Sequence, residues 1–281
     1  MATDPIRPPL KYHGGKQPLA RRIAALMPPH THYVEPFAGG LAVLFARDPE
    51  GVSEVANDLH GDLSRFWRVL ACPLQFVRFE RLAQAAPFSE SCWRDAESVL
   101  SPDSGADDAE RALAFFVRCR QSLAGRMRSF AVPVKTRTRR GMNDGVSAWL
   151  SAVEGLPAVH ERLKRVLVLD RPALDVVRQQ DGPATLFYCD PPYLHATRAA
   201  PDAYRHEMDE AGHAALLDAL LACAGKVVLS GYPHPLYETR LAGWRRIVFD
   251  VANHAAGGAA KRRMQEVVWC NFDPETQGDG A

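Results

Sequence analysis

The stretch of sequence that most constrains the fold is an apolar run, residues 184–188, that leads through Cys189 to Asp190-Pro191-Pro192-Tyr193. A short apolar run of this kind is typical of a buried strand in a parallel sheet. Two consecutive prolines can neither donate to a sheet nor continue a helix, so the chain must turn directly after Asp190. In an open α/β sheet the carboxyl ends of the strands line the ligand crevice. We therefore predict that a carboxylate, a proline carbonyl and an aromatic ring face that crevice together.

These three groups suit the recognition of an exocyclic amine on a flat base. The carboxylate and the carbonyl can accept the two N–H protons, and the ring can stack on the base. The lone pair of the amine then stays available to react. A surface turn with a satisfied aspartate would explain the same four residues taken alone.

A second strand-to-helix turn carries an acid and a glycine pair. Residues 33–34 are typical of a strand, Glu35 follows, and Gly39-Gly40 precede an apolar helix start at residues 41–46. Glycines let the backbone approach a ligand closely, and an acid here favours a ligand with hydroxyl or ammonium groups over one with phosphates. The glycine spacing differs from Gly-x-Gly-x-x-Gly, and the lysine-serine ending of a P-loop is absent, which argues against NAD and ATP.

Two further segments indicate a small-molecule site. Asp58 follows a short strand, residues 52–56. In nucleotide-binding folds, an acid about twenty residues after the first strand end binds the ribose hydroxyls, and the spacing from Glu35 to Asp58 is close to that. Asp58 could instead cap the helix that begins near residue 61. At the N-terminus, the basic turn Lys11-Tyr12-His13-Gly14-Gly15-Lys16 leads into a helical pattern over residues 18–27. Such a turn can bind an anion or another ligand, although its glycines could merely close a loop.

A block of basic residues occupies the middle of the chain. Residues 111–143 contain nine arginines and lysines and no acid, although the formal net charge of the chain is only +1. This one-sign block indicates a polyanionic partner, and its glycines and proline predict loops that lay arginines along a phosphate backbone or into a groove. A solvated basic loop is the plainer explanation. The candidate contacts for this partner are Arg118, Arg120, Arg126, Arg128, Lys135, Arg137, Arg139 and Arg140.

Strand and helix patterns alternate on both sides of residues 66–163, and that central region is mainly helical. After it, residues 166–169 predict a strand that ends at Asp170. The last two predicted strands, residues 244–251 and 266–272, fit an antiparallel hairpin that closes the sheet. We therefore predict an α/β fold with a largely helical insertion.

Cysteine usage and hydropathy exclude several classes of protein. The six cysteines form no Cys-x-x-Cys pair, so neither a zinc site nor a disulfide framework is indicated. The N-terminus lacks an apolar core of signal-peptide length, and no run approaches the about twenty apolar residues that span a bilayer. We expect a cytoplasmic protein without a metal or a membrane partner.

Taken together, the motifs resemble those of the Dam-like DNA adenine-specific (N6) methyltransferases of bacteria and phages. Four motifs occur in the order seen in that family, namely Lys11-Tyr12-x-Gly14-Gly15-Lys16, Glu35-Pro36-Phe37-x-Gly39-Gly40, Asn57-Asp58-Leu59 and Asp190-Pro191-Pro192-Tyr193. The resemblance implies a Rossmann-like S-adenosylmethionine-dependent methyltransferase sheet of seven strands whose last pair is an antiparallel hairpin. It further implies a discontinuous catalytic domain over residues 1–66 and 160–273. A mainly helical target-recognition domain would be inserted at residues 67–159, and residues 274–281 would form a disordered tail.

The same resemblance assigns roles to individual residues. The cofactor, S-adenosyl-L-methionine, is expected to contact Tyr12, Lys16, Glu35, Phe37, Gly39, Asp58, Asp170 and Asp190. Among these, Asp58 would bind the ribose hydroxyls. Asp170 is assigned to the cofactor's adenine although the chain departs from the family after the third strand, where it has Asp170-Arg171-Pro172. The catalytic turn comprises Asp190, Pro191, Pro192 and Tyr193. Its acid and first proline would hold the target amine, and its tyrosine would stack on a flipped adenine.

The resemblance thus implies a site-specific adenine methyltransferase acting on double-stranded DNA. Arg198, in the polar loop after the catalytic turn, is a further candidate DNA contact. We expect a monomer, with a dimer left open. Two alternatives stand beside this interpretation: a methyltransferase on another planar amine or amide, in RNA adenine or protein glutamine, and a catalytically silent DNA-binding relative. The basic block favours DNA, and relatives that act on proteins typically have asparagine in place of Asp190.

Overall fold

The computed structural model describes residues 6–12, 14–132, 136–194, 207–252 and 263–274. The chain divides into two compact units, each assembled from separate segments. The first unit comprises Met1–Ala20, Gly39–Asp48 and His60–Val168, and the second comprises Arg21–Ala38, Pro49–Leu59 and Leu169–Ala281. The first unit therefore contains residues 67–159, which were predicted to be an insertion. It also contains Gly39 and Gly40, which we call the glycine loop.

Strands form one large sheet and one small hairpin. In chain order they are β1 (His32–Glu35), β2 (Ser53–Asn57), β3 (Thr138–Arg139), β4 (Met142–Asn143), β5 (Val166–Leu169), β6 (Thr185–Cys189), β7 (Lys226–Gly231), β8 (Arg245–Ala252) and β9 (Arg263–Cys270). The large sheet has seven strands in the order β5-β2-β1-β6-β7-β9-β8. Strand β1 is parallel to β2 and β6, and β6 is parallel to β7, whereas β9 is antiparallel to β7 and β8. The prediction of a seven-stranded, mostly parallel sheet closed by an antiparallel hairpin is confirmed.

Strand order and register bring the predicted site to one edge of this sheet. Val34 pairs with Phe187 between β1 and β6, and Cys189 pairs with Leu229 between β6 and β7. From β1 the sheet continues to β2 on one side, and from β6 to β7 on the other, so the order reverses between β1 and β6. Open α/β sheets bind ligands at such a reversal, outside the carboxyl ends of the strands. Glu35 ends β1 and Asp190 follows β6 at this place.

Helices occur in both units. They are α1 (Ala20–Ala24), α2 (Ala42–Ala46), α3 (Gly61–Ala71), α4 (Pro73–Ala85), α5 (Glu90–Val99), α6 (Asp108–Arg120), α7 (Asp144–Glu154), α8 (Leu156–Leu163), α9 (Ala173–Gln180), α10 (Glu210–Leu221) and α11 (Pro235–Arg240). Among the residues that the structure describes, no helix combines the length and the hydropathy that crossing a membrane requires.

An aromatic core joins the helices of the first unit. Phe66 of α3, Phe79 of α4 and Phe116 of α6 are all fully buried, and the rings of Phe66 and Phe116 stack with centroids 5.8 Å apart. Trp149 of α7 lies 5.0 Å from Phe116. Burying side chains of this size contributes roughly 1.5–3 kcal/mol each. The basic block therefore belongs to a well-packed helical unit.

The core of the second unit lies against the large sheet. Every residue of β6 is buried, as expected for a parallel strand covered on both faces. Val34, Phe187 and Val227 pack with Leu217 of α10 in one apolar cluster that includes Trp269 of β9. This packing fixes the strand ends from which the site is built.

One part of the basic block differs from the prediction. The sequence indicated loops, whereas Thr138 to Asn143 form the hairpin of β3 and β4. Its two turn residues, Arg140 and Gly141, have φ angles of 56° and 72°. This left-handed pair is the arrangement of a two-residue turn whose twist matches that of the strands. Arginine is an uncommon first residue of such a turn, so residues 138–143 carry little sequence signal for a hairpin.

Candidate active site

Three carboxylates of the second unit lie near enough to Tyr188 of β6 for their charges to act on it. Burial raises the pKa of Tyr188 well above that of a free phenol, and the negative charges of Asp190, Glu35 and Glu266 raise it further. A hydrogen bond of 3.1 Å between the Tyr188 hydroxyl and the Ser230 hydroxyl opposes this shift. Asp190 and Glu35 therefore both act on Tyr188, near the carboxyl end of β6. Glu266 was not predicted there.

Glu35 is held by its own strand. Its side chain is only 1% exposed, and the Tyr33 hydroxyl donates a 2.7 Å hydrogen bond to its Oε1 atom. Alternate residues of a strand face the same side of the sheet, which places these two side chains together. A buried carboxylate is costly unless it is hydrogen-bonded, so this contact helps to keep Glu35 in place.

Asn57 ties three strand ends together. Its Nδ2 atom donates to the Pro36 and Arg171 carbonyls at 2.9 Å each, and the Arg171 N–H donates to its Oδ1 atom at 2.9 Å. Its backbone carbonyl accepts a 2.8 Å bond from the Ala38 N–H. The turns after β1, β2 and β5 are thereby fixed to one another. The sequence placed Asn57 in a motif, but it did not identify it as a site residue.

The structure separates two roles considered for Asp58. The N-cap of α3 is His60, whose Nδ1 atom accepts from the Leu63 N–H at 3.4 Å, so Asp58 does not cap that helix. Asp58 is half-buried, and its backbone N–H donates to the Leu169 carbonyl at 3.3 Å. Asp170 is exposed directly after β5. Both acids therefore stand at the carboxyl ends of their strands.

The catalytic turn predicted from the sequence is largely buried. Pro191 is buried and Tyr193 is only 6% exposed. The Tyr193 hydroxyl donates a hydrogen bond to the Oε1 atom of Glu266, which is itself 7% exposed. The Tyr193 ring meets the Tyr232 ring edge-on, with centroids 4.5 Å apart and planes at 73°. Pro192 and Phe37 are partly exposed, and Phe37 packs against the apolar cluster of this unit.

In the first unit, Tyr12 packs on the backbone of the glycine loop. A Cβ atom at Gly39 would lie 3.7 Å from the Tyr12 ring, and one at Gly40 would lie 3.4 Å from the Tyr12 Cβ atom. Gly39 has a φ angle of +47°. The Gly15 N–H donates to the Tyr12 carbonyl at 3.1 Å, and the buried Lys16 donates from Nζ to the Gly14 carbonyl at 3.2 Å. The glycines thus serve the close approach that the sequence indicated, here between a ring and the backbone.

Two arginines of the basic block hold the first unit together. Arg118 is 8% exposed, donates to the Trp93 carbonyl at 3.3 Å and the Met127 carbonyl at 2.7 Å, and lies over the Trp93 ring at 3.7 Å. Arg120 is mostly buried and donates to the Ala148 carbonyl at 2.6 Å. These contacts fix α6 to its neighbours. A count of charges along the sequence could not reveal them.

The other described arginines of the block lie at the surface. Arg126 and Arg128 are exposed in the loop after α6, and Arg137, Arg139 and Arg140 are exposed on the hairpin segment. Arg140 forms a two-pronged ion pair with Glu154 of α7, at 2.9 and 3.0 Å. Lys135, Arg198 and most of the predicted loop after the catalytic turn lie outside the described residues.

No metal cluster accompanies these features in the described residues. Within the described parts of the chain, no group of three or more histidine, cysteine, aspartate or glutamate side chains is placed to hold a metal ion. The six cysteines are free thiols, and burial raises the pKa of the Cys189 thiol well above its usual value.

The fold and the strand-end acids define an α/β protein whose strand order reverses between β1 and β6, the place where open α/β sheets bind ligands. Comparison with known families is consistent with this class: residues 12–97 match the family described as D12 class N6 adenine-specific DNA methyltransferase. The match begins at Tyr12 and includes the motifs of Glu35 and Asp58. The resemblance to the adenine methyltransferases that the motifs indicated is confirmed over this segment. A search of curated proteins gave no match.

Proposed function

We propose that the chain is an S-adenosylmethionine-dependent methyltransferase that modifies the exocyclic amine of adenine in double-stranded DNA. The observation that carries the proposal is that Glu35 ends β1 and Asp190 follows β6, two paired strands between which the strand order reverses. The family match over residues 12–97 supports adenine as the target. The basic block supports DNA as the polymer.

The charges at the strand ends fit the expected cofactor. Glu35, which is buried at the end of β1, provides a carboxylate that suits a cationic ligand better than one that carries phosphates. Asp58 and Asp170 add carboxylates that can accept bonds from ribose hydroxyls and an adenine amine. When bound, S-adenosylmethionine supplies a methyl group that its sulfonium makes electrophilic. Tyr12, Lys16 and Gly39, which belong to the first unit, stay cofactor contacts proposed from the resemblance.

The catalytic turn would activate and orient the target amine. We propose that the Asp190 carboxylate and the Pro191 carbonyl accept its two protons, because this pair of bonds keeps the lone pair on nitrogen instead of in the purine ring. Asp190 can also accept the proton that the amine loses. Most of the rate enhancement would come from holding the amine nitrogen about 3–3.5 Å from the methyl carbon, in line with the bond between that carbon and the sulfur.

A transfer assay with three acceptors tests the proposal. The purified chain is incubated with tritium-labelled S-adenosylmethionine and, separately, with adenine-unmethylated bacterial genomic DNA, an RNA transcript and a protein extract. We expect label in DNA alone, recovered as N6-methyladenine after enzymatic digestion to nucleosides. Label in RNA or in protein glutamine would identify one of the alternative methyltransferases. Binding of DNA without any transfer would identify a silent relative.

The exposed arginines of the hairpin segment should contact DNA phosphates. We expect the combined change Arg137→Ala and Arg139→Ala to reduce the slope of log Kd against log salt concentration by about two, because each phosphate contact contributes about 0.9. Arg140 is left in place because it is ion-paired with Glu154. The measurement is fluorescence anisotropy of a labelled duplex over a range of salt concentrations.

A control for this change removes the same charge elsewhere. Arg94 and Arg178 are exposed, lie outside the block and pair with acids on their own helices. Replacing both with alanine should leave the salt slope almost unchanged. If the hairpin variant behaves like this control, the hairpin arginines do not lie in the interface.

Gly39 of the glycine loop, whose backbone is left-handed, gives a third prediction. Gly39→Ala should destabilise the protein by about 1 kcal/mol because an alanine is strained at a φ angle of +47°. Gly51→Ala provides a matched control, since Gly51 has a φ angle of +70° with nothing within 4 Å of an added Cβ atom. Both variants should melt earlier by a similar amount. Only Gly39→Ala should also weaken S-adenosylmethionine binding, measured by calorimetry, and equal affinities in the two variants would separate the glycine loop from the cofactor.

A further inference from the structure

We propose that Glu266 is a positioning residue for methyl transfer, acting through the hydroxyl of Tyr193 to set the plane of the ring that stacks on the target base. This inference rests on the proposed function. It assigns a role in the site to β9, a strand that follows the catalytic turn by more than seventy residues.

The contact lies in a protected place. Tyr193 and Glu266 are 6% and 7% exposed, and the phenol donates directly to the Glu266 carboxylate. A hydrogen bond to a charged acceptor is stronger than one between neutral groups, and it is weakened little by water when both partners are buried. The bond is therefore strong enough to restrict rotation of the Tyr193 side chain.

Two strands hold the ring from different directions. Strands β7 and β9 are antiparallel, and Gly231 pairs with Val267. Glu266 precedes Val267 and Tyr232 follows Gly231, so these two residues lie opposite each other. Tyr232 meets the Tyr193 ring edge-on at 4.5 Å, while Glu266 binds the hydroxyl at the far end of the same ring. A ring that packs against Tyr232 and is hydrogen-bonded at its hydroxyl has a restricted orientation. That orientation is set before any base arrives.

The electrostatic surroundings keep the tyrosine a hydrogen-bond donor. Burial raises the pKa of Tyr193 well above that of a free phenol, and the charges of Asp190 and Glu266 raise it further. The hydroxyl therefore stays protonated at any pH at which the enzyme would work. A fixed stacking partner matters for the reaction because a small error in the position of the amine costs rate more than it costs binding.

The expected effect is a loss of turnover at nearly constant cofactor affinity. Tyr193→Phe keeps the ring and removes only the hydroxyl, and Glu266→Gln keeps the shape and removes the charge. Each variant should lower kcat on adenine-unmethylated genomic DNA by about tenfold, the effect of losing one charge-assisted hydrogen bond. The dissociation constant for S-adenosylmethionine should change less than about twofold in both.

A double-mutant cycle distinguishes positioning from general loss of structure. If the two residues act as one unit, Tyr193→Phe with Glu266→Gln should be no slower than either single variant. Tyr237→Phe serves as a structural control in the same unit. It removes a buried 2.7 Å bond to His213 and should lower the melting temperature without changing kcat.

Each outcome decides the inference. Equal, non-additive losses of kcat with cofactor binding preserved support it. Additive losses, an unchanged kcat in Tyr193→Phe, or a kcat loss in Tyr237→Phe as large as in Glu266→Gln would overturn it while the proposed function stands. Absence of transfer by the unmodified chain would overturn both, so the two failures are distinguishable.

Discussion

Replacing Asp190 with alanine should lower kcat for methyl transfer to DNA by about a hundred- to a thousandfold, the range seen when one preorganised hydrogen-bonding group is removed from an active site. The expectation follows from the position of Asp190 directly after β6, where its charge acts on both Tyr188 and Tyr193. Of the two acceptors proposed for the amine, only the carboxylate can be removed by substitution. Affinity for S-adenosylmethionine should change far less than kcat, because Glu35 and Asp58, which are also assigned to the cofactor, stay in place.

Two companion variants make this test specific. Asp190→Asn retains one oxygen acceptor and should retain part of the activity, so its kcat should lie between those of Asp190→Ala and the unmodified chain. Asp175→Ala removes an exposed carboxylate from α9 in the same unit and should leave kcat unchanged. Full activity in Asp190→Ala would exclude this residue from the reaction. A large loss of cofactor affinity instead would assign it to the cofactor.

The strand ends were predictable because their signal is local. An apolar run that stops at an acid marks both a strand and its carboxyl end, and β5 begins and ends at the residues that the sequence predicted. The same logic identified Glu35 and Asp190 as residues at strand ends before the sheet order was known, and Glu35 ends β1 while Asp190 follows β6. A parallel strand is buried on both faces, so its hydrophobicity is continuous and easy to recognise.

Side-chain pairs between distant segments gave no such signal. Glu266 binds Tyr193, 73 residues away in the sequence, and Asn57 binds Arg171, 114 residues away. Contacts at such separations produce no pattern that a single sequence reveals. Arg118 shows the converse case, in which a charge count along the sequence predicts an exposed DNA contact at a residue that is buried. It stands within a basic block, but its guanidinium is buried over Trp93 and binds backbone carbonyls.

Asn57→Ala should be among the most destabilising single changes at this edge of the sheet. It removes three side-chain hydrogen bonds of 2.9 Å at a residue that is 1% exposed. Leaving their backbone partners unsatisfied should lower the free energy of unfolding by about 2–3 kcal/mol, since each buried unpaired group costs roughly 1–3 kcal/mol. The loss is smaller than the sum for three groups because the exposed Arg171 can form hydrogen bonds to water. For a chain of this size, the melting temperature measured by circular dichroism should fall by roughly 4–12 °C.

A second asparagine in the same unit separates stability from ligand binding. Asn271 accepts from the Val227 N–H at 2.8 Å and donates to the Gly225 carbonyl at 3.0 Å, so it supports the amino end of β7, away from the strand-end acids. Asn271→Ala should therefore lower the melting temperature without changing affinity for S-adenosylmethionine. Asn57→Ala should in addition weaken that affinity about tenfold, because the turn that follows Glu35 loses its anchor. Equal affinities in the two variants, measured by calorimetry well below both melting temperatures, would mean that Asn57 stabilises the sheet but does not shape the cofactor site.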